Sequence, residues 1–349
     1  NILIAIIVAF LIIIFKPVLL NIVYQIFTVS PQTNIFINDY ISIRVLSAPA
    51  ELMIYVFIGF YLGIQRTTIS SALIIILSVL NIFLSIYFVN SLGLNIKGVA
   101  LGTLFSSYLI VLLFSILTYF YFIKKFKVIP RLNFKRLLNF KKIIKLLNIN
   151  FNIFIRTILL TFSFFWVTYL SSSLGEEYVA VNSILLQLIF ISSFFLDAYA
   201  FSTEGIIGYS IGKKSFKMFM SATKNSLILS FSTGILISIF FLFAAREIIN
   251  VITDLEFLVF LTYKYLIWVI IIPPIASLAY QLDGIFIGAT QTKELRNGMI
   301  VSVVAYLLLS FYLTKQLHNY GIWFSLLLFM ILRASTLHFY FSKILNKFR

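Results

Sequence analysis

Ionisable side chains occur inside segments of this chain that are otherwise apolar. Asp197 and Glu204 lie seven residues apart on one such segment, which places both carboxylates on one helix face about 10 Å apart. A charge at the centre of a bilayer costs at least about 2.5–3.5 kcal/mol on insertion scales, so each one needs a partner or a purpose. Arg156, on the preceding segment, is the candidate cation for both acids. The spacing fits a clamp between helices and equally a site that exchanges a proton or a cation.

A third acid, Asp283, follows Gln281 in the half of its segment beyond Pro273 and Pro274. A carboxylate in an apolar cavity can load and release a proton. The prolines free backbone carbonyls beside it, which adds possible oxygen ligands. The alternative is that Asp283 only caps the cytoplasmic end of its helix. Arg333, on the last apolar segment, is expected to pair with one of these acids.

Arg44 and Glu51 repeat the seven-residue spacing on either side of Pro49. At this spacing the two side chains are not expected to meet directly, so each should have another partner. A structural pairing is favoured over a role in lining a cavity.

No His/Asp/Glu cluster with metal-ligand spacing, no phosphate-binding loop and no Ser–His–Asp set is visible in the sequence. We therefore predict that the protein is not an enzyme and has no metal site and no cofactor.

The composition places these residues in a membrane. The 349-residue chain is 61% hydrophobic and 11% charged, whereas a soluble domain is about 25% charged. Continuous apolar runs indicate helices rather than the short alternating strands of a membrane barrel. We predict an all-α polytopic protein with ten spans, at roughly 2–24, 41–64, 69–90, 99–123, 150–171, 179–210, 224–245, 258–288, 298–315 and 320–342. The sixth span could tilt or break at its glycines, Gly205, Gly208 and Gly212.

Lysine and arginine in the connections predict the orientation. The segment 124–148 is strongly basic and amphipathic, so it is expected to lie on the cytoplasmic side against the anionic leaflet. The net charge of +16 is then mainly a topology signal, and no nucleic-acid partner is expected. The predicted organisation is an N-lobe at 1–123 with four of six helices, a cytoplasmic basic linker at 124–148, and a C-lobe of six helices at 149–349.

An internal repeat supports two lobes. Residues 59–67 read GFYLGIQRT and residues 284–292 read GIFIGATQT, and Pro49 and Pro274 share the same offset (274 − 49 = 225; 284 − 59 = 225). A duplicated apolar unit with prolines and glycines is typical of transporters built from two related halves. The residues predicted to act in hinges and packing are Pro49, Pro273, Pro274, Gly59, Gly63, Gly284 and Gly288.

The order of several motifs resembles the multidrug and toxic compound extrusion (MATE) family, in its DinF-like branch. These motifs are RVLSAPAELMIYVFIGFYLGIQRTT (44–68), NIKGVALGT (95–103), FIRTILL (154–160), FFLDAYAFSTEGIIGYSIG (194–212) and DGIFIGATQTKELRN (283–297). The resemblance implies a twelve-helix, two-lobe fold of which about ten helices are present and the first two are missing.

The resemblance also implies a function. The implied function is that of a secondary active antiporter. The candidate residues of its ion-coupling cavity are Asp283, Asp197, Glu204, Arg156, Arg44, Glu51 and Gln281. The expected substrates are organic cations and drugs, exported in exchange for H⁺ or Na⁺. A flippase for lipid-linked oligosaccharides, from the same superfamily, is the alternative. The coupling aspartate of the branch belongs to a first helix that this sequence does not contain. We expect a monomer in the bilayer of a bacterial inner membrane.

Overall fold

A computed structural model describes residues 2–18, 20–21, 31–126 and 140–348. Within these residues the chain forms ten α-helices of thirteen residues or more. They are α1 (Ile2–Ile14), α2 (Pro31–Gly63), α3 (Thr67–Ile86), α4 (Asn95–Phe126), α5 (Phe140–Ser172), α6 (Glu176–Gly212), α7 (Phe216–Ile252), α8 (Glu256–Gly288), α9 (Thr292–Leu317) and α10 (Asn319–Leu345). A π-helical turn, Tyr87–Ser91, continues α3.

The all-α membrane fold predicted from the sequence is confirmed. Nine of the described helices, α2 to α10, are long and apolar enough to cross a bilayer, and α1 is a shorter apolar helix. The predicted span 2–24 lies partly outside the described residues. Most helices extend beyond the predicted spans. The helix α6 continues through Gly205 and Gly208 and ends at Gly212, so the break considered at these glycines is absent.

The chain divides into two compact units, Asn1–Asn139 and Phe140–Arg349. Residues 124–126 of the predicted linker belong to the end of α4, and residues 140–148 form the first turns of α5. The remaining linker residues, 127–139, lie outside the described residues. The cytoplasmic position of the linker stays a prediction.

Both copies of the glycine motif end their helix in the same way. Gln65 and Thr290, which are 225 positions apart (290 − 65 = 225), adopt positive φ angles of 61° and 56°. The amide of the residue after each one donates to the carbonyl five positions earlier, at 2.8 Å in the first copy and 2.9 Å in the second. This is a Schellman ending, which satisfies carbonyls that the helix leaves free. The repeat read from the sequence is therefore also a repeat of local structure.

The helices α6 and α8 cross with their backbones in contact. A Cβ placed on Gly284 would lie 2.5 Å from the carbonyl oxygen of Ala200, and one on Gly288 would lie 2.5 Å from that of Glu204. Only glycine permits so close an approach, and small residues serve the same purpose at many membrane helix interfaces. The crossing holds the helix that carries Asp283 against the helix that carries Asp197 and Glu204.

Gly288→Ala is expected to destabilise the second unit. The added methyl group would overlap the backbone of α6, which cannot move aside as a flexible side chain can, and overpacking of this kind costs about 1–3 kcal/mol. The measurement is the thermal unfolding midpoint of the purified protein in detergent.

Gly63→Ala is the matched control for this change. A Cβ at Gly63 or at Gly59 meets no heavy atom of the described residues within 4 Å, so the control should leave the midpoint nearly unchanged. Equal midpoints for Gly288→Ala and Gly63→Ala would refute the close crossing. The packing role of Gly59 and Gly63 stays a prediction.

The proline pair of α8 is supported by α7. Pro274 lacks an amide hydrogen, so the carbonyl of Ile270 loses its helical partner. The Ser238 hydroxyl on α7 donates to this carbonyl at 2.5 Å, and Gly234 allows the approach because a Cβ there would lie 2.8 Å from Pro274 Cα. Ile270 is thirteen residues from Asp283 (283 − 270 = 13), about 20 Å along the helix. The expectation that the freed carbonyls lie beside Asp283 is therefore wrong.

Candidate functional site

Three helices converge on Asp283 in the interior of the second unit. Its Oδ2 accepts hydrogen bonds from Arg156 Nη2 on α5 and from Arg333 Nη2 on α10, the latter at 2.7 Å. Asp283 is 4% exposed and Arg333 is 1% exposed. The pairing of Arg333 with an acid of this unit, expected from the sequence, is confirmed. One carboxylate thus faces two guanidinium groups, in helices apolar enough to cross a membrane.

A second carboxylate brings the cluster toward electrical balance. Asp197 on α6 is half-buried and lies close enough to Arg156, Asp283 and Arg333 to interact electrostatically with all three. It forms no ion pair within 4 Å among the described residues. With both acids ionised, two negative charges oppose the two positive charges. We call Arg156, Asp197, Asp283 and Arg333 the charge cluster.

Aromatic side chains surround the guanidinium group of Arg333. Its Cζ lies 5.4 Å from the centroid of the Tyr280 ring and 5.6 Å from that of Phe329. Rings at this distance stabilise a cation by their π faces. The Tyr280 hydroxyl shares a hydrogen bond of 2.8 Å with Ser193, which joins α8 to α6 beside the cluster.

Three buried polar atoms of the cluster have no hydrogen-bond partner among the described residues, and one of them is a carboxylate oxygen. The three atoms are Asp283 Oδ1, Arg156 Nε and Arg333 Nε. Buried polar atoms are nearly always satisfied by protein, water or an ion. Asp283 Oδ1 is thus an oxygen that could accept a proton or contact a cation.

Gln281 and Glu204 lie near the α6–α8 crossing but outside the cluster. Thr203 Oγ1 donates to Gln281 Oε1 at 2.9 Å, and Gln281 Nε2 is buried with no partner among the described residues. Glu204 is half-buried and forms no ion pair within the part of the chain that the structure describes. Asp197 therefore has charged neighbours in the cluster and Glu204 does not, although both acids lie on α6.

The prediction of which acids pair with Arg156 is wrong. The sequence suggested that Arg156 serves Asp197 and Glu204, whereas its direct ion pair is with Asp283. Asp197 is an electrostatic neighbour only, and Glu204 does not take part. The reason is that three helices from distant parts of the chain set the pairing, and spacing along α6 alone does not reveal it.

The expectation that Arg44 and Glu51 do not meet is also wrong. They form a direct ion pair within α2. Ser47 stands between them, accepting from Arg44 Nη1 at 2.7 Å and donating to Glu51 Oε1 at 2.8 Å. Seven residues rise about 10 Å along a helix, which two extended side chains can cover together. Both side chains are about one-third exposed, at 29% and 33%.

Four residues of the site were not predicted from the sequence: Tyr280, Ser193, Thr203 and Ser47. Tyr280, Thr203 and Ser47 each contact a charged or amide group, and Ser193 forms a hydrogen bond with the Tyr280 hydroxyl. Residue type alone did not distinguish these positions, because serine, threonine and tyrosine are common in this sequence and only the tertiary structure gives them partners. In the described ranges no group of three or more His, Cys, Asp or Glu side chains is placed to hold a metal ion.

Comparison with known proteins gives the family. A family model described as MatE matches residues 153–314, which include Arg156, Asp197 and Asp283. DNA damage-inducible protein F of Escherichia coli (strain K12) is 32% identical to this chain over 305 residues, which are 85% of the chain and 64% of that relative. The resemblance to the MATE family that the sequence motifs carry is thus confirmed. The chain's similarity to DNA damage-inducible protein F confirms the DinF-like branch, and the chain spans less than two thirds of that relative's length.

Solved MATE structures share the fold. The structure of MATE in complex with MaL6 has a TM-score of 0.88 at 15% identity, covering 99% of this chain and 78% of the other. The Vibrio cholerae MATE transporter VcmN in the bent form has a TM-score of 0.83 at 17% identity, covering 98% of this chain and 76% of the other. At these identities the similarity concerns the fold alone, and it confirms the MATE-like arrangement of helices predicted from the sequence.

Proposed function

We propose that this chain is part of a secondary active antiporter, rather than an enzyme, that exports organic cations in exchange for H⁺ or Na⁺. The observation that carries the proposal is the charge cluster, in which Asp283 binds Arg156 and Arg333 beside Asp197. Charge buried within membrane helices is costly and usually marks an ion or substrate pathway. The family of the chain supports the same reading.

The balance of charge suggests how an ion could act on the protein. While Asp197 is ionised, the cluster has no net charge. Binding of a proton or Na⁺ at Asp197 would leave one excess positive charge among apolar helices, which favours a conformation in which water reaches the cluster. Alternating access then requires only that the two lobes respond to this change in electrostatic energy.

The alternative function, a flippase for lipid-linked oligosaccharides, has less support. A pyrophosphate group needs cationic side chains that are free to bind it. Arg156 and Arg333 both bind Asp283, and Arg44 binds Glu51. These three arginines are the ones the sequence offers for a flippase, and each is engaged by a carboxylate.

Transport by the full-length protein in liposomes tests the proposal. An imposed proton or sodium gradient is expected to drive accumulation of a fluorescent organic cation, and an ionophore that dissipates the gradient should stop it. Protein-free liposomes provide the control. Absence of gradient-dependent movement, or movement of a lipid-linked pyrophosphate instead, would contradict cation antiport.

The cellular setting forms part of the proposal. The chain is a multi-pass membrane protein with nine candidate spans among its described residues. We place it in the inner membrane of a bacterial cell, acting as a monomer on small organic cations.

A further inference from the structure

A groove runs between α6 and α7, and none of its lining residues belongs to the charge cluster. Its volume is about 570 Å³. Its lining comprises Tyr199, Ser202, Thr203 and Ile206 of α6, Ser215 immediately before α7, and Lys217, Met218, Ser221, Ala222, Asn225, Ser226 and Leu229 in the first half of α7. The function proposed above makes no use of this groove.

Charge and polarity change along the groove. One end lies at the turn between the helices, where Lys217 lines it and Lys214 is exposed close by in the chain. None of the lining residues is acidic. From Ser215 to Leu229 the wall rises about 21 Å, at 1.5 Å per residue. Met218, Ala222, Ile206 and Leu229 supply apolar surface along it, interspersed with the polar side chains of Ser202, Asn225 and Ser226.

The far end of the groove is closed by hydrogen bonds. Thr233 of α7 donates to the Tyr199 hydroxyl at 3.0 Å, which joins the two helices there. Thr203 donates to Gln281 and so fixes the α6 wall to α8. The groove is therefore cationic at the turn and bounded at its far end by the Thr233–Tyr199 hydrogen bond.

The position of the groove across a membrane follows from helix length. Both α6 and α7 have 37 residues, about 55 Å each, whereas the hydrocarbon core is about 30 Å thick. The turn between them therefore extends into the headgroup region. Lysine at this level attracts anionic lipid.

We propose that this groove binds one anionic phospholipid. The headgroup phosphate lies against Lys217 and the hydroxyls of Ser215 and Ser221, and an acyl chain follows Met218 toward Leu229. A cation and hydroxyl donors at one end suit a phosphate, and the apolar side chains of Met218, Ala222 and Leu229 offer a path for a hydrocarbon chain. Lys217 forms no ion pair within the part of the chain that the structure describes.

Native mass spectrometry of the purified full-length protein tests this site. The protein is offered phosphatidylglycerol and phosphatidylcholine with identical acyl chains, in equal amounts. Wild type is expected to retain phosphatidylglycerol preferentially. Lys217→Gln should weaken the apparent affinity for phosphatidylglycerol about fivefold, the effect expected for one lysine near an anionic headgroup, and leave phosphatidylcholine unchanged.

Lys293→Gln is the matched control, because Lys293 is an exposed lysine at the start of α9 that does not line the groove. It should bind both lipids like wild type. Ala222→Phe, which fills the groove, should lower retention of both lipids while the protein stays monodisperse. Equal retention of the two lipids by wild type, or equal losses in Lys217→Gln and Lys293→Gln, would overturn the proposal. Neither result depends on whether the protein transports cations.

Discussion

Asp283→Asn is expected to remove most of the folded protein. The substitution takes away the carboxylate that binds both Arg156 and Arg333, and leaves two guanidinium groups buried without a direct counter-charge. Breaking a buried ion pair by removing one partner typically costs about 3–5 kcal/mol, a large fraction of the stability of an ordinary domain. The measurements are the yield of monodisperse protein and its unfolding midpoint in detergent.

Two further variants separate charge from shape at this position. Asp283→Asn combined with Arg333→Met removes one charge of each sign and leaves Arg156 opposite Asp197, so it should recover much of the lost stability. The same double change with Arg156→Gln added leaves Asp197 as the one charge of the cluster and should recover less. Asp39→Asn is the matched control, because Asp39 pairs with the exposed Lys97 at 3.3 Å and such surface pairs contribute about 0–1 kcal/mol. A wild-type yield and midpoint for Asp283→Asn would show that the arginines do not need this carboxylate.

The membrane fold could be predicted from the sequence because it depends on local properties. Apolar length alone identifies a span, so predicted 258–288 and observed Glu256–Gly288 nearly coincide. The repeat was visible for a similar reason, since the two glycine motifs specify the same helix ending. The residues at that ending were not predictable, because Gln65 and Thr290 adopt positive φ where glycine is usual.

The charge cluster could be predicted only in part. Each ionisable residue of the cluster was evident, because a charge in an apolar run is conspicuous. Which acid binds which arginine was not, because Arg156 and Asp283 are 127 positions apart and sequence spacing gives no information about contacts between distant helices. The pairing of Arg44 with Glu51 was missed for another reason: the flexibility of two long side chains outweighs the backbone distance between them.

Asp283 and Asp197 differ in how they are paired, and this difference changes which acid is expected to exchange the coupling ion. Asp283 is held by two direct ion pairs, so releasing its charge would disrupt three helices at once. Asp197 feels the same arginines without a direct ion pair in the described residues, so its charge can change while the helices stay packed. Of the acids in the second unit, Asp197 is therefore the better candidate for exchanging H⁺ or Na⁺.

Asp197→Asn is accordingly expected to fold with a near-normal unfolding midpoint and to lose gradient-driven export. The amide cannot gain or release a proton, and it is a weaker ligand for Na⁺ than a carboxylate. Coupling between two sites typically changes affinity about 5- to 150-fold, so accumulation driven by the gradient should fall by about tenfold or more. Substrate binding should persist, with its dependence on pH or Na⁺ flattened. The measurement compares yield, ligand binding and gradient-driven transport of the full-length protein in liposomes.

Glu204→Gln is the matched control for this prediction, because Glu204 lies on the same helix and is also half-buried, but forms no ion pair among the described residues. It should transport better than Asp197→Asn, and Asp197→Glu should restore part of the coupling because it returns the carboxylate. A stable Asp197→Asn protein with full gradient-driven transport would exclude Asp197 as the coupling group. If Glu204→Gln alone lost coupling, the exchanging acid would lie at the α6–α8 crossing rather than in the charge cluster. Because each variant is scored separately for folding and for transport, a structural role and a coupling role give different results.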